Sequence, residues 1–430
     1  MKFITMMTLL SFLTLHALDF FLDKKENNVS DSTLLIVGGI QGDEPGGFNA
    51  ASIISTHYEI TKGNVWIVPN LNFESIIKRS RGVYGDMNRK FATLKPSDPE
   101  FETVENIKSI IIDDQVDLVL NLHDGSGFYR PTYIDNKHSP YRWGQSCIID
   151  QESIDTPKYG NLKEIAEFVS DKVNENLMKE EHRFHVHNTK TREGDMEMAK
   201  TLTYYAINNN KPAFGNEGSK EFGTHYRVYY HLLAVEAYME YMGIAFKRKF
   251  SLTPKAIKSV INEDYQVTLF EKITLPTKGI RSTLRYIPTD KDKKVFYSNN
   301  PLICAIKEGK NYKIHYGNSR ITSLSPQFFH YDDSLKSVDV AVDGEINQVE
   351  PGAIIKVHDH FKVLSKEGYR VNVIGYSNSK KIETGVAIHK KEMPKRFSVD
   401  KEGTTFRVEV YKGDKFSGMF LVKFETKSRA

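Results

Sequence analysis

Residues 34–44 read Leu-Leu-Ile-Val-Gly-Gly-Ile-Gln-Gly-Asp-Glu, an apolar run that breaks into glycines and then reaches polar side chains. Four apolar residues in a row are typical of a parallel strand that is covered on both faces. Ligand sites in open α/β sheets gather at the carboxyl ends of such strands, which is where Gln41 and Glu44 would lie. These side chains are therefore candidates for the first two ligands of a metal site. Taken alone, the stretch favours an ordinary strand-to-helix turn with an N-cap acid.

Three further groups of polar residues follow in the same part of the chain. They are Arg81 with Asp86-Met87-Asn88-Arg89, then Asn121-Leu122-His123-Asp124-Gly125, and finally Phe214-Gly215-Asn216-Glu217-Gly218. Hydrolysis of a peptide bond by zinc needs three protein ligands, an open position for water and a base that deprotonates this water. Glu44 and His123 are suitable ligand types. Glu217 is a suitable base, because bound zinc lowers the pKa of its water to about 7.

The basic residues between these groups predict recognition of a chain terminus. Arg81 and Arg89 can hold a substrate carboxylate through forked, charge-assisted hydrogen bonds, and Asn88 can add one more. Each group also has an ordinary explanation, with His123 as a core histidine, Glu217 as a salt-bridged acid and the arginines as solvated loop charges. The order of the groups, and their placement at turns after predicted strands, favours a single site.

Alternating strands and helices predict the scaffold that would position these groups. Up to Met242, short apolar runs predict strands and helical spacing of apolar residues predicts helices. The predicted strands are residues 34–37, 65–69, 118–122 and 213–216, and the predicted helices are residues 99–112, 161–178 and 226–243. Such alternation predicts an α/β domain with a mostly parallel, doubly wound sheet.

The sequence after Gly243 has a different pattern. A basic cluster at residues 247–249 and then Pro254 mark a boundary. Beyond it, short alternating runs and frequent turn signals predict β-barrel or β-sandwich modules. The runs include residues 265–270 and 406–411, and the turn signals lie at residues 307–311, 343–344 and 351–352. About 180 residues exceed one small sandwich, so we expect two β domains that divide near Asp333.

Composition and the first residues indicate an exported globular protein. The chain of 430 residues is 40% hydrophobic and 27% charged, and its net charge of +4 gives no nucleic-acid footprint. Lys2, the apolar run 3–15 and the ending Leu15-His16-Ala17 are typical of a secretory signal peptide. The run is too short to span a membrane, and a buried N-terminal helix is the alternative. Cys147 and Cys304 are expected to be buried, unpaired thiols.

The order of the polar groups resembles that of the zinc carboxypeptidase family, including its branch of succinylglutamate desuccinylases and aspartoacylases. That family runs His-x-x-Glu, an Arg, an Asn-Arg pair, a His and finally a Glu base, and the resemblance covers roughly residues 30–245. It implies that Gln41, Glu44 and His123 bind Zn²⁺, that Asn88 and Arg89 grip the terminal carboxylate, that Arg81 polarises the scissile carbonyl, and that Glu217 activates water.

Gln41 stands where the family has a histidine. An amide oxygen is a poorer zinc donor than an imidazole, although both are neutral. A glutamine here, a signal peptide and two appended β domains together resemble the periplasmic DL-carboxypeptidases that trim peptidoglycan and set cell shape in helical Gram-negative bacteria. The resemblance implies release of meso-diaminopimelate from the muropeptide tripeptide. It also implies a signal peptide at residues 1–17, a carboxypeptidase domain at 18–246, a β-barrel-like domain at 247–333 and an immunoglobulin-like sandwich at 334–430.

The substrate side chain would carry an amine and a second carboxylate. Trp143, Thr203 and Tyr204 are candidates to bind these groups, placed only by their position between His123 and Glu217, and ordinary packing explains Trp143 and Tyr204 equally well. The expected partners are the peptidoglycan muropeptide and, through the β domains, other cell-shape proteins. We expect no nucleic acid partner and no membrane span in the mature chain.

Two other functions remain open. With Gln41 as a sign of degeneration, the chain would be a peptidoglycan-binding scaffold for a cell-shape complex, although retention of the other site residues argues against decay. An acylase or desuccinylase of small acyl-amino acids would share the metal site, but export weakens this alternative. The histidine-rich segment 181–187 is a candidate for a second metal site, and a strand or helix edge explains it better.

Overall fold

The computed structural model describes residues 13–14, 20–27, 32–290, 295–379 and 382–425. The chain forms two compact units, which are described separately. The N-terminal unit is Leu18–Glu263, and the C-terminal unit is Asp264–Ala430 together with Met1–Ala17. The predicted signal peptide lies outside the described residues apart from a two-residue strand, β1 (Leu13–Thr14).

The N-terminal unit alternates strands and helices. Its elements are β2 (Asp23–Lys25), β3 (Thr33–Gly38), α1 (Pro45–His57), β4 (Tyr58–Lys62), β5 (Asn64–Val68), α2 (Phe73–Lys78), α3 (Phe101–Ile111), β6 (Leu118–Gly125), β7 (Phe128–Tyr129), β8 (His138–Ser139), β9 (Ser146–Ile149), α4 (Leu162–Asn174), β10 (His185–Asn188), α5 (Leu202–Asn208), β11 (Ala213–Ser219), α6 (Thr224–Tyr241), β12 (Ala245–Arg248) and α7 (Pro254–Ile261). Short 3-10 helices lie at Met87–Arg89, Glu180–His182, Thr191–Glu193 and Met198–Lys200.

Seven of these strands form one sheet in the order β10-β9-β11-β6-β3-β5-β2. Strands β11, β6, β3 and β5 run parallel to one another, β9 and β10 run antiparallel to β11, and β2 runs antiparallel to β5. Helix α1 packs on β3 and β6, and α6 packs on α1, α4 and β11. The predicted α/β class with a mostly parallel, doubly wound sheet is confirmed.

The centre of this sheet shows why its strands were recognisable. Leu34, Leu35, Ile36 and Val37 in β3 are completely buried, because β6 and β5 flank the strand and helices cover the sheet. Burial on both faces requires an uninterrupted apolar run rather than alternation. The same pattern occupies β6 and the first half of β11, so all three strands bring their polar ends to one edge.

The C-terminal unit consists mainly of strands. They are β13 (Gln266–Leu269), β14 (Ile273–Pro276), β15 (Thr283–Asp290), β16 (Val295–Ser298), β17 (Ile303–Glu308), β18 (Asn311–Tyr316), β19 (Ser319–Phe329), β20 (Val338–Val342), β21 (Glu345–Val349), β22 (Ile354–Val357), β23 (His360–Val363), β24 (Arg370–Val373), β25 (Ile388–His389), β26 (Thr405–Lys412) and β27 (Lys415–Phe424), with 3-10 helices at Lys390–Glu392 and Lys395–Phe397.

These strands form four-stranded sheets in the orders β1-β16-β13-β14, β15-β19-β18-β17, β21-β20-β23-β25 and β22-β27-β26-β24. Asp343 and Gly344 join β20 to β21 with φ angles of 51° and 101°, the left-handed pair that a two-residue hairpin needs. The all-β character of this part is confirmed. Its division into two domains near Asp333 stays a prediction.

Among the described residues, no helix combines the length and the apolar character that crossing a bilayer would require.

Burial controls the chemistry of both cysteines. Cys147 lies in β9 with its Sγ 2.7 Å from the Tyr238 hydroxyl, and Cys304 lies in β17. Both are free thiols, and burial raises the pKa of each to about 12. We expect neither to be alkylated by iodoacetamide at pH 8 in the folded protein, because only about one thiol in ten thousand is then ionised. Mass spectrometry should show two additions after unfolding in guanidinium, and rapid labelling of the native chain would contradict this expectation.

Candidate metal centre and active site

The loop after β3 carries the first candidate ligands. Gly39 turns the chain with a φ of 75°, and a Cβ at Gly42 would lie only 2.0 Å from the backbone of Ser75. Glycine is required at both positions, first for a left-handed backbone and then for close approach. The backbone N–H of Gly42 also donates to the Ser80 carbonyl at 2.9 Å. This loop is thereby fixed at the carboxyl end of the sheet.

Glu44 contacts His123 instead of capping α1. It occupies the N-cap position, but its side chain makes no capping hydrogen bond. Its Oε2 lies 2.9 Å from His123 Nδ1 and accepts the backbone N–H of Asp124 at 3.1 Å. Both side chains are buried, with 4% and 7% of their surface exposed. Two predicted ligands from distant parts of the chain therefore meet, and Glu44 is an N-cap acid by position but not by side-chain hydrogen bonding.

Asp86 orients the third predicted ligand. Gln41 is buried, and its Nε2 donates to Asp86 Oδ1 at 2.7 Å. Although burial opposes ionisation, the hydrogen bond from Gln41 and the charges of two arginines hold the pKa of the Asp86 carboxyl below its usual range. An ionised carboxylate can only accept, so the NH₂ group of Gln41 must face it. The amide oxygen is then the atom of Gln41 that remains for a metal.

The register of two neighbouring strands places Glu217 beside His123. Strands β6 and β11 are parallel, and Glu217 is the cross-strand partner of His123, so both side chains leave the same face of the sheet. The Oε2 atom of Glu217 is buried without a hydrogen-bond partner among the described residues. Burial, supported by the charges of Glu44 and Asp124, raises the pKa of Glu217 to about 8 against the opposing charge of His123.

Asp124 and its charged partners hold the start of α1, which follows the Gln41–Glu44 loop. The buried carboxylate of Asp124 accepts from the backbone N–H of Gly46 at 2.8 Å, from Arg227 at 3.0 Å and from His231 at 3.2 Å. Burial alone would raise the pKa of Asp124, but His231 and Arg227 outweigh it and lower the pKa. One carboxylate thus ties β6, α6 and the first turn of α1 together.

The predicted carboxylate-binding residues lie next to this cluster. Arg81 is half exposed, with its Nε 2.9 Å from Asp86 Oδ2 and its Nη1 3.6 Å from Glu44 Oε1. The Nδ2 of Asn88 lies 3.5 Å from His123 Nε2. Arg89 donates to the carbonyl of Asn88 at 3.0 Å. The structure therefore brings Arg81 and Asn88 to the ligands and places Arg89 directly beside them.

The three candidates for side-chain recognition lie on two elements near the cluster. Trp143 packs against Gly125, two residues beyond His123. Thr203 and Tyr204 lie in α5, directly after Leu202, whose backbone N–H donates to Asn88 Oδ1 at 3.0 Å. Thr203 is buried and its hydroxyl lies 3.1 Å from that of Thr201. A role for Trp143, Thr203 and Tyr204 in substrate recognition stays a prediction.

The segment 181–187 ends in the edge strand β10, where the ring of His187 contacts Tyr129 and Trp143. The rings of Tyr129 and His187 stack at 4.0 Å, and Trp143 lies 4.8 Å from the same imidazole. Burial lowers the pKa of His187 to about 4, so its ring is neutral. Among the described His, Cys, Asp and Glu residues, a group spaced for a metal occurs elsewhere, at Asp359, His360 and His389 of the C-terminal unit.

Four residues near the cluster received no role in the predicted catalytic site. They are Asp86, Asp124, Lys220 and His187. Lys220 places its Nζ 3.2 Å from Asp43 and 3.4 Å from Glu44, which adds positive charge to the buried ligand. Three of them stand within three residues of a predicted site residue, and this proximity was the available signal. For His187 the sequence offered no comparable signal.

Comparison with known proteins identifies two matching family models. Residues 1–262 match the model described as the catalytic region of a carboxypeptidase controlling helical cell shape, and residues 331–425 match the C-terminal domain of metallo-carboxypeptidase. A comparison with curated protein sequences found no match.

Solved structures of the cell shape determinant protein Csd4 from Helicobacter pylori are similar over almost the whole chain. The apo form is 39% identical, covers 95% of this chain and 100% of its own, and has a TM-score of 0.88. The tripeptide-bound form gives the same values. The mDAP-bound form, described as a D,L-carboxypeptidase, is 39% identical over 94% of this chain and 100% of its own, with a TM-score of 0.88.

The contact between Gln41 and Asp86 can be tested through metal affinity. We expect Asp86→Ala to weaken zinc binding about 10- to 100-fold, because carboxylates that orient a ligand contribute this much. Zinc affinity is measured by competition with a chromogenic chelator. The background is His360→Ala/His389→Ala, which removes the possible metal site at Asp359, His360 and His389. The control is Asp114→Ala, an exposed aspartate of the same unit. Equal zinc affinity in the Asp86 variant and its parent would contradict the assigned role.

Proposed function

The chain belongs to the family of carboxypeptidases that control helical cell shape, and on this basis we propose that it releases meso-diaminopimelate from peptidoglycan tripeptide and leaves the dipeptide. Membership confirms the resemblance predicted from the sequence and the assignment as a metallo-carboxypeptidase. The observation that carries the proposed reaction is the convergence of Glu44, His123 and Glu217 at one edge of the sheet, with Gln41 on the loop after β3 and oriented by Asp86.

We propose zinc as the metal of this site. The available donors are an amide oxygen, a carboxylate and an imidazole, and zinc accepts each of them. Two observations support a cation here. The ligand atoms of Glu44 and His123 approach to 2.9 Å, and the buried Oε2 of Glu217 has no hydrogen-bond partner among the described residues. When bound, the metal would polarise the scissile carbonyl of the substrate and lower the pKa of its bound water to near neutral.

Glu217 is the proposed base. It takes a proton from the attacking water and delivers it to the leaving amine, and this role requires its ionised form. Burial raises its pKa in the metal-free protein. A cation held by the neighbouring ligands favours the carboxylate, because an opposite charge nearby lowers the pKa of an acid. Burial therefore makes the Glu217 carboxylate basic enough to accept a proton. A cation bound at the neighbouring ligands would keep this carboxylate ionised.

The basic residues would select the chain terminus. We assign Asn88 and Arg89 to the terminal carboxylate of the substrate, because a guanidinium fork and an amide match its two oxygens. Arg81 is assigned to the scissile carbonyl. Its contacts with Glu44 and Asp86 place it beside the proposed metal ligands. Trp143, Thr203 and Tyr204 are proposed to bind the amine and second carboxylate of the substrate side chain.

We propose that residues 1–17 direct export and that the enzyme works in the periplasm, where its substrate lies. The pattern Lys2, apolar run and Ala17 supports export. The proposed ligand is a peptidoglycan muropeptide, and the C-terminal unit is the proposed contact for other cell-shape proteins. Export and protein partners can each be tested separately from the reaction itself.

Replacement of the proposed base tests the reaction. We expect Glu217→Gln to lower kcat on muropeptide tripeptide about 10²- to 10⁴-fold, because general-base catalysis contributes this much. Zinc content should remain at the level of the wild type, since Glu217 is no ligand. The matched control is Glu221→Gln, whose carboxylate pairs with the exposed Lys137. Release of diaminopimelate is followed by chromatography, and near-normal turnover in Glu217→Gln would refute the assignment.

Selection of a free terminus is tested with an amidated substrate. We expect Arg89→Met to lower kcat/KM for the tripeptide about 10- to 100-fold, the range for a lost hydrogen bond to a charged group. For a tripeptide with a C-terminal amide, wild type and variant should be equally slow, because the contact is already absent. Arg192→Met is the control, since Arg192 is an exposed arginine of the same unit. A variant that loses the same factor on both substrates would contradict a contact to the carboxylate.

A further inference from the structure

A cleft of about 720 Å³ lies within the C-terminal unit, between strands β15, β19, β24 and β26 and the segment 396–399. Five guanidinium groups line it, from Arg281, Arg285, Arg370, Arg396 and Arg407, together with a single carboxylate from Glu409. The lining therefore carries a net positive charge. Clefts with one sign of charge focus the field and concentrate ligands of opposite charge.

Few of these arginines are neutralised by the protein. Among the described residues, only Arg407 of the five lies within 4.0 Å of a carboxylate, with its Nη1 3.5 Å from Glu409 Oε1. Arg370 lies 4.5 Å over the ring of Tyr411, and Arg396 lies 4.9 Å over Phe397. Arginines that stack on aromatic rings keep their hydrogen-bond donors available. Arg281 and Arg407 hold backbone carbonyls, but the guanidinium groups of the other three arginines make no hydrogen bond or ion pair to the described residues, so the cluster indicates an anionic ligand.

The backbone of β15 is shaped around the same cleft. The strand has a bulge between Leu284 and Ile287, and Tyr286 adopts a φ of 55°. This conformation is uncommon for an aromatic residue and persists only where the surroundings hold it. The carbonyl of Tyr286 accepts from Arg407 at 3.1 Å, while its side chain is 68% exposed. With Phe397, 38% exposed, it gives the lining exposed aromatic rings beside the arginines.

We propose that this cleft binds the carboxylate-bearing stem peptides of peptidoglycan and holds the polymer while the N-terminal unit hydrolyses it. The identity of the ligand rests on the proposed function. Guanidinium forks bind carboxylates through two parallel hydrogen bonds, and the aromatic rings can pack on peptide groups. The volume is within the range of ligand sites. Two binding sites on one chain raise the effective concentration of the polymer at the catalytic unit.

The test neutralises the three arginines whose guanidinium groups donate to no backbone carbonyl of the described residues. Arg281 and Arg407 hold backbone carbonyls, whereas Arg285, Arg370 and Arg396 are exposed. The triple variant is therefore Arg285→Gln/Arg370→Gln/Arg396→Gln. Its matched control removes the same charge from exposed lysines of the same unit, as Lys310→Gln/Lys336→Gln/Lys415→Gln. Binding is measured by co-sedimentation of the full chain with purified sacculi.

We expect the arginine variant to bind sacculi about tenfold more weakly and the lysine control to bind like the wild type, since three modest ion pairs account for this factor. The kcat/KM of both variants on soluble tripeptide should be unchanged. Each single arginine variant should lose about twofold. These single variants keep the test valid if the triple variant shows a lowered thermal transition.

Unchanged sedimentation of the arginine variant, or an equal loss in the lysine control, would overturn the proposal. Displacement by soluble stem peptide that is weaker in the arginine variant than in the wild type supports it, because the catalytic site is the same in both. Displacement by an oligopeptide of L-glutamate but not by stem peptide would overturn it in favour of an acidic protein segment. If the wild type fails to cleave tripeptide, the proposed function is wrong, and sedimentation still reports on the cleft.

Discussion

Three carboxylates are buried at one edge of the parallel sheet, and the arrangement of the site follows from the need to compensate them. An ionised group taken out of water without a partner costs several kcal/mol. Asp124 is compensated by Arg227 and His231, and Glu44 by His123 and Lys220. Glu217 has a raised pKa and a buried oxygen without a hydrogen-bond partner among the described residues. A cation between these groups would complete the compensation, so the electrostatics and the proposed catalysis point to the same place.

The parts of this site that the sequence predicted are those fixed by local pattern. Apolar runs identified the strands, and the rule that ligands gather at their carboxyl ends brought Glu44, His123 and Glu217 together. The role of Asp86 was not predictable, because it depends on a loop that returns to Gln41 across 45 residues and on one side-chain rotamer. The choice between Glu44 as a helix cap and as a ligand was open for the same reason. In the structure its side chain contacts His123 and makes no capping hydrogen bond.

In the C-terminal unit, too, features set by local sequence were predictable and features set by long-range contacts were not. Alternating runs and the Asp343-Gly344 signal predicted strands and a turn, and both are present. The arginine cleft was not predicted, since its cations come from three strands, a loop and a 3-10 helix between residues 281 and 407. Nothing in their spacing along the chain indicates that they converge. Arg281 donates to the carbonyl of Ser398 and Arg407 to that of Tyr286, and these contacts, which span 117 and 121 residues, have no local signature.

Gln41 stands where the zinc carboxypeptidase family has a histidine ligand, and it can preserve both the charge of that ligand and its orientation. A histidine ligand usually donates its second N–H to a carboxylate, which fixes the ring and increases its basicity. Gln41 donates its NH₂ group to Asp86 in the same manner. The net charge and the orientation of the ligand are therefore retained, while the amide oxygen remains the weaker donor. Weaker metal binding is the physical consequence. The proposed base Glu217 is also in place, in register with His123.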